Sequence, residues 1–142
     1  MAGNINISMS YNHLARLARD LPIETDKIVQ ETADALKAEM VERMQEPKSG
    51  RTYIRKGQGV HVASAPKQAP AVDSGLLSGM EVEKIGTAKA RITINTEYAV
   101  ALEYGARRKH DYLRPRPFAR PAKAKIFPIM IKMLKDLERR VR

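Results

Sequence analysis

A stretch between Pro22 and Glu46 constrains the fold of this chain more than any other part of its sequence. Apolar side chains recur in it at steps of three and four, the spacing of one helix face: Val29, Ala33, Leu36, Met40 and Met44. Charged residues fill the other face, so the pattern predicts a long amphipathic helix with one side against a core. Pro22 suits the first turn of this helix, and Pro47 and Gly50 are predicted to end it.

Shorter elements are predicted on both sides of this helix. Asn4 to Ser8 alternates between apolar and polar side chains like a short strand, and Ser10 precedes a short helix that Pro22 interrupts. Residues 51–55 and 60–64 can pair as a small hairpin across a Lys-Gly-Gln-Gly turn. The N-terminal half is therefore predicted to mix helix and strand.

Two further strands are predicted in the middle of the chain. The first begins near Met80, and the second, from Ala90 to Thr96, alternates apolar and polar side chains after a turn at 86–89. These strands are predicted to form the centre of an antiparallel sheet. A short helical turn follows from Tyr98 and is predicted to end at Gly105.

The end of the chain predicts a second long helix. Its apolar positions again follow the helical period: Ile126, Met130, Met133 or Leu134, Leu137 and Val141. Pro121 is predicted to open this helix. Pro128 falls inside the pattern and is predicted to kink the helix or delay its start.

Together these elements predict an α+β fold in one domain over residues 1–142, with the two long helices packed on a small antiparallel β-sheet. Residues 47–75 are rich in Pro, Gly, Ser and Ala, and they are predicted to form an extended arm that contains the hairpin. A loop of this length in a small domain is usually functional or ordered by a partner. A chain of 142 residues is long enough to bury a core of its own.

The positive charge of the chain is confined to one end. The formal net charge is +10, from 26 Lys and Arg against 16 Asp and Glu. Residues 1–105 balance their charges, so the whole excess lies in the basic C-terminal segment and helix, residues 106–142. A field of one sign favours an anionic partner, either nucleic acid or an acidic protein surface, and the charge alone does not choose between them.

No arrangement of residues predicts catalysis or a metal site. The chain has no cysteine, and its three histidines, His13, His61 and His110, lie in unrelated segments without a nucleophile motif. Glu97 and Glu103 are the nearest candidate metal ligands, and a structural role is favoured for them. We therefore expect no enzymatic activity, no cofactor and no metal. We expect no membrane span, because no apolar run is long enough. We also expect no secretion, because the first twelve residues have neither a basic region nor an apolar region typical of a signal peptide.

The basic segment is the strongest physical signal in the sequence. Arg114, Arg116 and Arg120 stand in the stiff run RPRPFARP, and their planar guanidinium groups suit two-point contacts with oxyanions. We interpret these arginines as an interface. The later basic residues fit a solvated helix face: Lys132, Lys135, Arg139 and Arg140.

Three stretches of the sequence carry recognisable motifs. The first matches P-V-D-T-G-x-L, with loose spacing and Ser74 for the threonine, at Pro70, Asp73, Gly75 and Leu77. The second matches Y-A-x-x-x-E-x-G at Tyr98, Ala99, Glu103 and Gly105. The third matches R-P-F-x-x-P-A at Arg116, Pro117, Phe118, Pro121 and Ala122. In this order and spacing they resemble the neck protein family of long-tailed lambda-like bacteriophages, also called tail-component, tail-completion or head-tail joining proteins.

The resemblance implies a structural protein of the virion. Subunits of such a protein form a ring, of six or twelve copies, at the neck between head and tail, and DNA passes through it. The implied partners are head-completion or stopper proteins and tail-terminator or tail-tube proteins, together with non-specific contact with double-stranded DNA. The chain is then expected in the virion neck, after synthesis in the cytoplasm of a host bacterium.

We predict that the arm and the C-terminal motifs contact neighbouring subunits or partner proteins. The residues of this predicted interface are Arg51, Tyr53, Arg55, His61, Pro66, Pro70, Asp73, Glu103, Arg114, Arg116, Phe118 and Arg120. In a head-to-tail ring each subunit presents two different surfaces, which suits an arm that reaches a neighbour. We expect the basic segment to dock on an acidic neighbouring ring, because a tight grip on many DNA phosphates would slow ejection.

Two alternatives stay open from the sequence. A tail-terminator protein, which caps the tail tube as a ring, has a similar size and an α+β fold. A basic DNA-binding accessory domain belongs to a different class and explains the charge without a ring. It predicts submicromolar binding to duplex DNA with a steep dependence on salt.

Overall fold

The structure is a computed structural model that describes residues 7–45, 48, 50, 52–55, 59–62, 80–94, 99–107, 109 and 112–141. Its helices are α1 (Leu14–Asp20), α2 (Pro22–Gln45), α3 (Ala99–Tyr104) and α4 (Ala119–Arg140). Its strands are β1 (Thr52–Arg55), β2 (Gly59–Val62), β3 (Glu81–Gly86), β4 (Lys89–Thr93), β5 (Ala106–Arg107) and β6 (Tyr112–Leu113). Within these ranges the strands form three separate antiparallel pairs, β1–β2, β3–β4 and β5–β6. The predicted α+β class is confirmed.

The two long helices, α2 and α4, run antiparallel and make the main packing of the fold. Leu36, in the second half of α2, shares a buried cluster with Ala122 at the start of α4. Ile28, in the first half of α2, shares a second buried cluster with Leu134 near the end of α4. Each helix buries one stripe at the helical period. On α2, however, Ile28 is buried where the sequence pattern predicts Val29, and Val29 is half-buried.

The β3–β4 hairpin packs one face along α2. Val82 lies directly opposite Ile92 in the antiparallel register, and both are half-buried. Met80 and Ile94, which flank the two strands, are almost fully buried in the cluster that holds Leu36. The hairpin therefore closes the core on the side of α2.

The turn of this hairpin is fixed to α2 by one carboxylate. Asp26 accepts a hydrogen bond from the Ala88 N–H at 3.0 Å and pairs with the Lys84 ammonium at 2.7 Å. The hydrogen bonds from Lys84 and then from Ala88 hold the pKa of Asp26 below its ordinary value. Ala88 is buried with a φ of 55°, a left-handed conformation that alanine adopts rarely, so this contact helps to hold an unfavourable turn.

The N-terminal segment is held against the end of α4 by a second carboxylate. Tyr11 Oη donates to Glu138 Oε2 at 2.9 Å, while His13 Nδ1 and Arg16 Nη2 each lie 2.5 Å from Oε1. The hydrogen bonds from His13 and then from Tyr11 hold the pKa of Glu138 below its ordinary value. One carboxylate thus ties the first described residues to the last helix.

Most predicted elements form near their predicted bounds. The helices predicted over Pro22 to Glu46 and from Tyr98 are confirmed by α2 and α3, and both predicted hairpins form. The strand predicted over Asn4 to Ser8 is wrong for the two of its residues that are described. Ile7 instead packs its side chain on the core without strand pairing.

Two predictions about the sheet and the arm have different outcomes. β3–β4 was predicted as the centre of a sheet, but in the described part of the chain it is a sheet of two strands only. Of the predicted arm over 47–75, the structure describes residues 48, 50, 52–55 and 59–62. The remaining residues of the arm lie outside the described residues, so its extended form stays a prediction.

The prediction that Pro128 delays the last helix is wrong. α4 is continuous from Ala119 to Arg140 with Pro128 inside it. A proline in a helix interior removes the hydrogen bond to the carbonyl four residues earlier, here that of Ala124. Both residues lie on the exposed side of α4, where water can bind this carbonyl.

Among the described helices, none has the length and apolar character that a membrane span requires.

The Glu138 contacts predict a loss of stability in acid. A carboxyl whose pKa is lowered by folding stabilises the folded state above its ordinary pKa of 4.5, and the contribution disappears as the pH falls through the lowered value. We therefore expect Glu138→Gln to lower the melting temperature at pH 7, and the difference from the unmodified chain to shrink below pH 4.5. Thermal unfolding followed by circular dichroism from pH 7 to pH 3 measures this difference.

The control for this experiment is Glu81→Gln, an exposed substitution on β3. It should change the melting temperature little at any pH. A difference between Glu138→Gln and the unmodified chain that stays constant down to pH 3 would contradict the role of the ionised carboxylate.

Candidate functional site

The first turn of α4 has no capping side chain of its own. Phe118 stands at its N-cap, and no acidic residue lies in the first turn. The carboxylate of Glu103 in α3 accepts the open backbone donors instead, at 2.8 Å from Phe118, 3.0 Å from Ala119 and 2.9 Å from Arg120. Pro121 follows and has no N–H. Every donor that a helix leaves open at its start is therefore satisfied.

Residues around Glu103 also donate hydrogen bonds to carbonyls at the end of α3. Gly105 has a φ of 82°, which suits glycine, and closes α3 by donating its N–H to the carbonyl of Ala101 at 2.7 Å. The segment that follows binds the next two carbonyls, through Arg116 N–H to Leu102 at 2.6 Å and Arg120 Nη2 to Glu103 at 2.8 Å. The end of α3 and the start of α4 thus cap each other. We call this arrangement, built on Glu103, Gly105, Arg116, Phe118 and Arg120, the Glu103 joint.

Arg120 covers the Glu103 joint from the solvent side. Its Nε donates to Glu103 Oε1 at 3.0 Å, and its guanidinium lies 4.7 Å from the centre of the Tyr104 ring. Glu103 is fully buried, whereas the Arg120 side chain is 56% exposed. A buried charge is costly unless it is paired and hydrogen-bonded, and the carboxylate of Glu103 meets both conditions.

The structure brings some of the predicted interface residues together, but inside the chain. Glu103 and Phe118 are fully buried, so in this structure neither side chain faces a partner. Arg120 is exposed, yet its guanidinium is held by Glu103. Arg114 is exposed and Arg116 is half-buried in the segment that leads into α4. Of the C-terminal candidates, Arg114 therefore presents the most accessible charge.

The other predicted interface residues belong to the arm. Tyr53 and Arg55 lie in β1 and His61 in β2, with Tyr53 directly opposite His61 in the antiparallel register. Four residues lie outside the described residues, Arg51, Pro66, Pro70 and Asp73. Contact of the arm with a neighbour stays a prediction.

Two local anomalies in the sequence signal the Glu103 joint. An acidic side chain near the C-terminal end of a helix opposes the helix dipole, and Glu103 has this place in α3. A helix start without Ser, Thr, Asp or Asn lacks a good cap, and Phe118 has this place in α4. The two anomalies explain each other, because the Glu103 carboxylate caps the start of α4 at Phe118. The two residues are 15 positions apart, and the helical period does not reveal a contact over that distance.

Beyond the Glu103 joint, α4 presents a basic face to solvent. All of its exposed charged side chains are basic: Arg120, Lys125, Lys132, Lys135, Arg139 and Arg140. Lys125 pairs with Glu39 of α2 at 3.1 Å, and Arg139 pairs with Asp136 at 2.7 Å. Lys132, Lys135 and Arg140 form no ion pair with any residue that the structure describes. These three cations are available to carboxylates or phosphates of a partner.

The described residues hold no group of three His, Asp or Glu side chains that could bind a metal ion. Comparison of the chain with protein-family models, with curated proteins and with solved structures gives no match. A function is therefore to be inferred from the Glu103 joint, the charged faces and the sequence motifs.

The Glu103 joint predicts a large effect of one substitution on stability. We expect Glu103→Ala to lower the free energy of unfolding by about 3–5 kcal/mol, because it leaves buried N–H groups without an acceptor and removes the partner of Arg120. Glu103→Gln keeps one carbonyl oxygen and the side-chain volume, so we expect a loss of about 1–3 kcal/mol. Urea unfolding measures both.

The matched control is again the exposed Glu81→Gln, for which we expect a change within about 0.5 kcal/mol. If Glu103→Ala had the same free energy of unfolding as this control, the contribution of Glu103 to stability through the capping of α4 would be contradicted.

Proposed function

We propose that this chain is a structural protein of a tailed bacteriophage, which assembles as a ring in the virion neck and joins or completes the connection between head and tail. The observation that carries the proposal is the Glu103 joint. Glu103 belongs to the second of the three motifs that resemble the neck protein family, and Phe118 belongs to the third. The two residues meet through the hydrogen bond from Phe118 N–H to the Glu103 carboxylate.

The Glu103 joint gives the two motifs one physical purpose. The glutamate supplies the acceptor for the start of α4, and Gly105 of the same motif ends α3 at the required place. Pro121 of the third motif removes the one first-turn donor that Glu103 does not bind. Short motifs that matched by chance would have no reason to meet in this way. Their meeting supports the resemblance at the level of architecture.

The charged surface agrees with a role in assembly. We propose that the basic segment docks on an acidic neighbouring protein of the neck, such as a head-completion, stopper, tail-terminator or tail-tube protein, and that the arm over 47–75 reaches a neighbouring subunit. Arg114, which is exposed in the segment that leads into α4, supplies positive charge for such a contact. Catalysis, a cofactor and a metal have no part in this proposal.

The proposed ring predicts the mass of the purified chain in solution. Light scattering after size exclusion at moderate salt is expected to give a closed multiple of the 15.9 kDa chain, six or twelve copies. The same measurement at high salt shows how far exposed charges hold the assembly, since salt screens them. A chain that stays monomeric at every concentration would contradict assembly without a partner ring.

The proposed docking role also predicts weak binding to DNA. At about 0.15 M salt we expect the chain to bind random duplex DNA with a dissociation constant above about 1 µM, in the range of non-specific contacts. Fluorescence anisotropy over a series of salt concentrations measures the affinity and its salt slope. Submicromolar binding with a steep slope by a monomeric chain would favour the DNA-binding accessory domain instead.

A further inference from the structure

The exposed face of α2 is acidic. Its exposed charged residues are Glu24, Lys27, Glu31, Asp34 and Glu42, four acids and one base. Ala35 and Ala38 lie between them on the same exposed side and leave its middle flat. Glu31, Asp34 and Glu42 form no ion pair with any described residue, so within the described part of the chain these acids of the α2 face are not neutralised.

The exposed face of α4 carries the opposite charge. Lys125, Lys132 and Lys135 lie on it with Ile129, whose side chain is half exposed. Ile129 is thus an apolar side chain in the middle of the basic face of α4. The middle of the acidic face of α2 has two alanines instead. One face has a large apolar side chain among cations, and the other has small side chains among anions.

These two faces lie side by side on one molecule, because α2 and α4 pack antiparallel. The ion pair of Glu39 with Lys125 marks their shared edge. Near the other end, Glu24 and Glu31 of α2 line one surface depression together with Arg140 of α4. A DNA duplex on α4 would bring its phosphates close to the acids of α2, and this repulsion opposes DNA as the occupant. A partner with both signs suits the surface better.

The spacing of the residues fits a second copy of the chain. Along α4, Lys125, Ile129, Lys132 and Lys135 follow at steps of four, three and three. Along α2 in the opposite direction, Glu42, Ala38, Asp34 and Glu31 follow at steps of four, four and three. At 1.5 Å per residue the two series stay in register to within one residue. Antiparallel docking then sets Lys125 near Glu42, Ile129 on Ala38, Lys132 near Asp34 and Lys135 near Glu31.

We infer that the acidic face of α2 in one copy binds the basic face of α4 in a second copy, antiparallel and centred on Ile129. The inference rests on the proposed ring, for which it supplies the subunit contact. Because the two faces are on different helices, the contact suits head-to-tail assembly, in which each bound copy leaves one face for the next. The solvated face that the sequence predicts for Lys132 and Lys135 becomes an interface in the assembly.

Charge reversal on each face tests this contact with the full-length chain. One variant, Glu31→Lys with Asp34→Lys, reverses two of the three acids of the proposed contact. The other variant, Lys132→Glu with Lys135→Glu, reverses two of its three cations. Each variant alone is expected to lose the assembly and to have the mass of one chain by light scattering. Mixed in equal amounts, the two variants are expected to recover the mass of the unmodified assembly, since each then offers the complement of the other.

The matched control is Lys89→Glu with Arg107→Glu, which changes the charge by the same amount as the α4 variant at exposed positions on β4 and β5. It is expected to keep the mass of the unmodified chain. Thermal unfolding of all variants distinguishes a loss of assembly from a loss of folding. A chain that carries all four charge reversals is expected to assemble again, because its two faces are once more complementary.

The outcomes separate the contact from the proposed function. If both single-face variants keep the mass of the unmodified assembly, the contact is overturned and the ring stands. A dimer that is lost in both single-face variants supports the contact and overturns the ring. In such a dimer both faces of each copy are occupied, so no further copy can bind. If the unmodified chain is monomeric up to the highest soluble concentration, the contact is overturned. Tight DNA binding that is lost in the Lys132→Glu, Lys135→Glu variant would then assign the basic face to DNA.

Discussion

The buried carboxylate of Glu103 is the contact on which the C-terminal half of the molecule depends. Three backbone N–H groups and one guanidinium bind it, so the start of α4 is fixed in position and in direction. From this point α4 runs antiparallel to α2, and its apolar stripe reaches both core clusters. The end of α4 then brings Glu138 to the N-terminal segment. Without Glu103, the start of α4 would bury open donors, which the core around Phe118 does not tolerate.

What the sequence could predict follows from the range of the interactions. The bounds of α2 depend on the helical period and on Pro22 and Pro47, which are local, and they could be read directly. The β3–β4 hairpin also follows from alternation within a few residues. The start of α4 could not be predicted in the same way, because its cap comes from α3. The delay of α4 predicted from Pro128 is wrong for a related reason. The cost of this proline depends on whether the freed carbonyl of Ala124 is exposed to water, which a sequence pattern does not show.

Three carboxylates share the work of joining distant parts of the chain. Asp26 holds the β3–β4 turn to α2, Glu103 joins α3 to α4, and Glu138 holds the N-terminal segment to α4. Of the two acids of α4, Glu138 binds the N-terminal segment and Asp136 pairs with Arg139. Lys132, Lys135 and Arg140 are therefore left without an ion-pair partner among the described residues. The exposed acids of α2 have no such internal role in the described structure. The segregation of charge on the surface is thus a consequence of how the core is tied together.

This segregation changes what the net charge of +10 means for binding. From the sequence, the excess in residues 106–142 points equally to nucleic acid and to an acidic protein. In the folded chain the acidic face of α2 lies beside the basic face of α4, so an approaching partner meets both signs at close range. A uniformly charged duplex gains from one face and loses at the other, whereas a copy of the same chain gains at both. In the assembly that we propose, the angle between successive copies is set by how α4 lies on α2, and Glu103 fixes where α4 starts. The buried contact at Glu103 would then determine the geometry of the proposed assembly without lying at its interface.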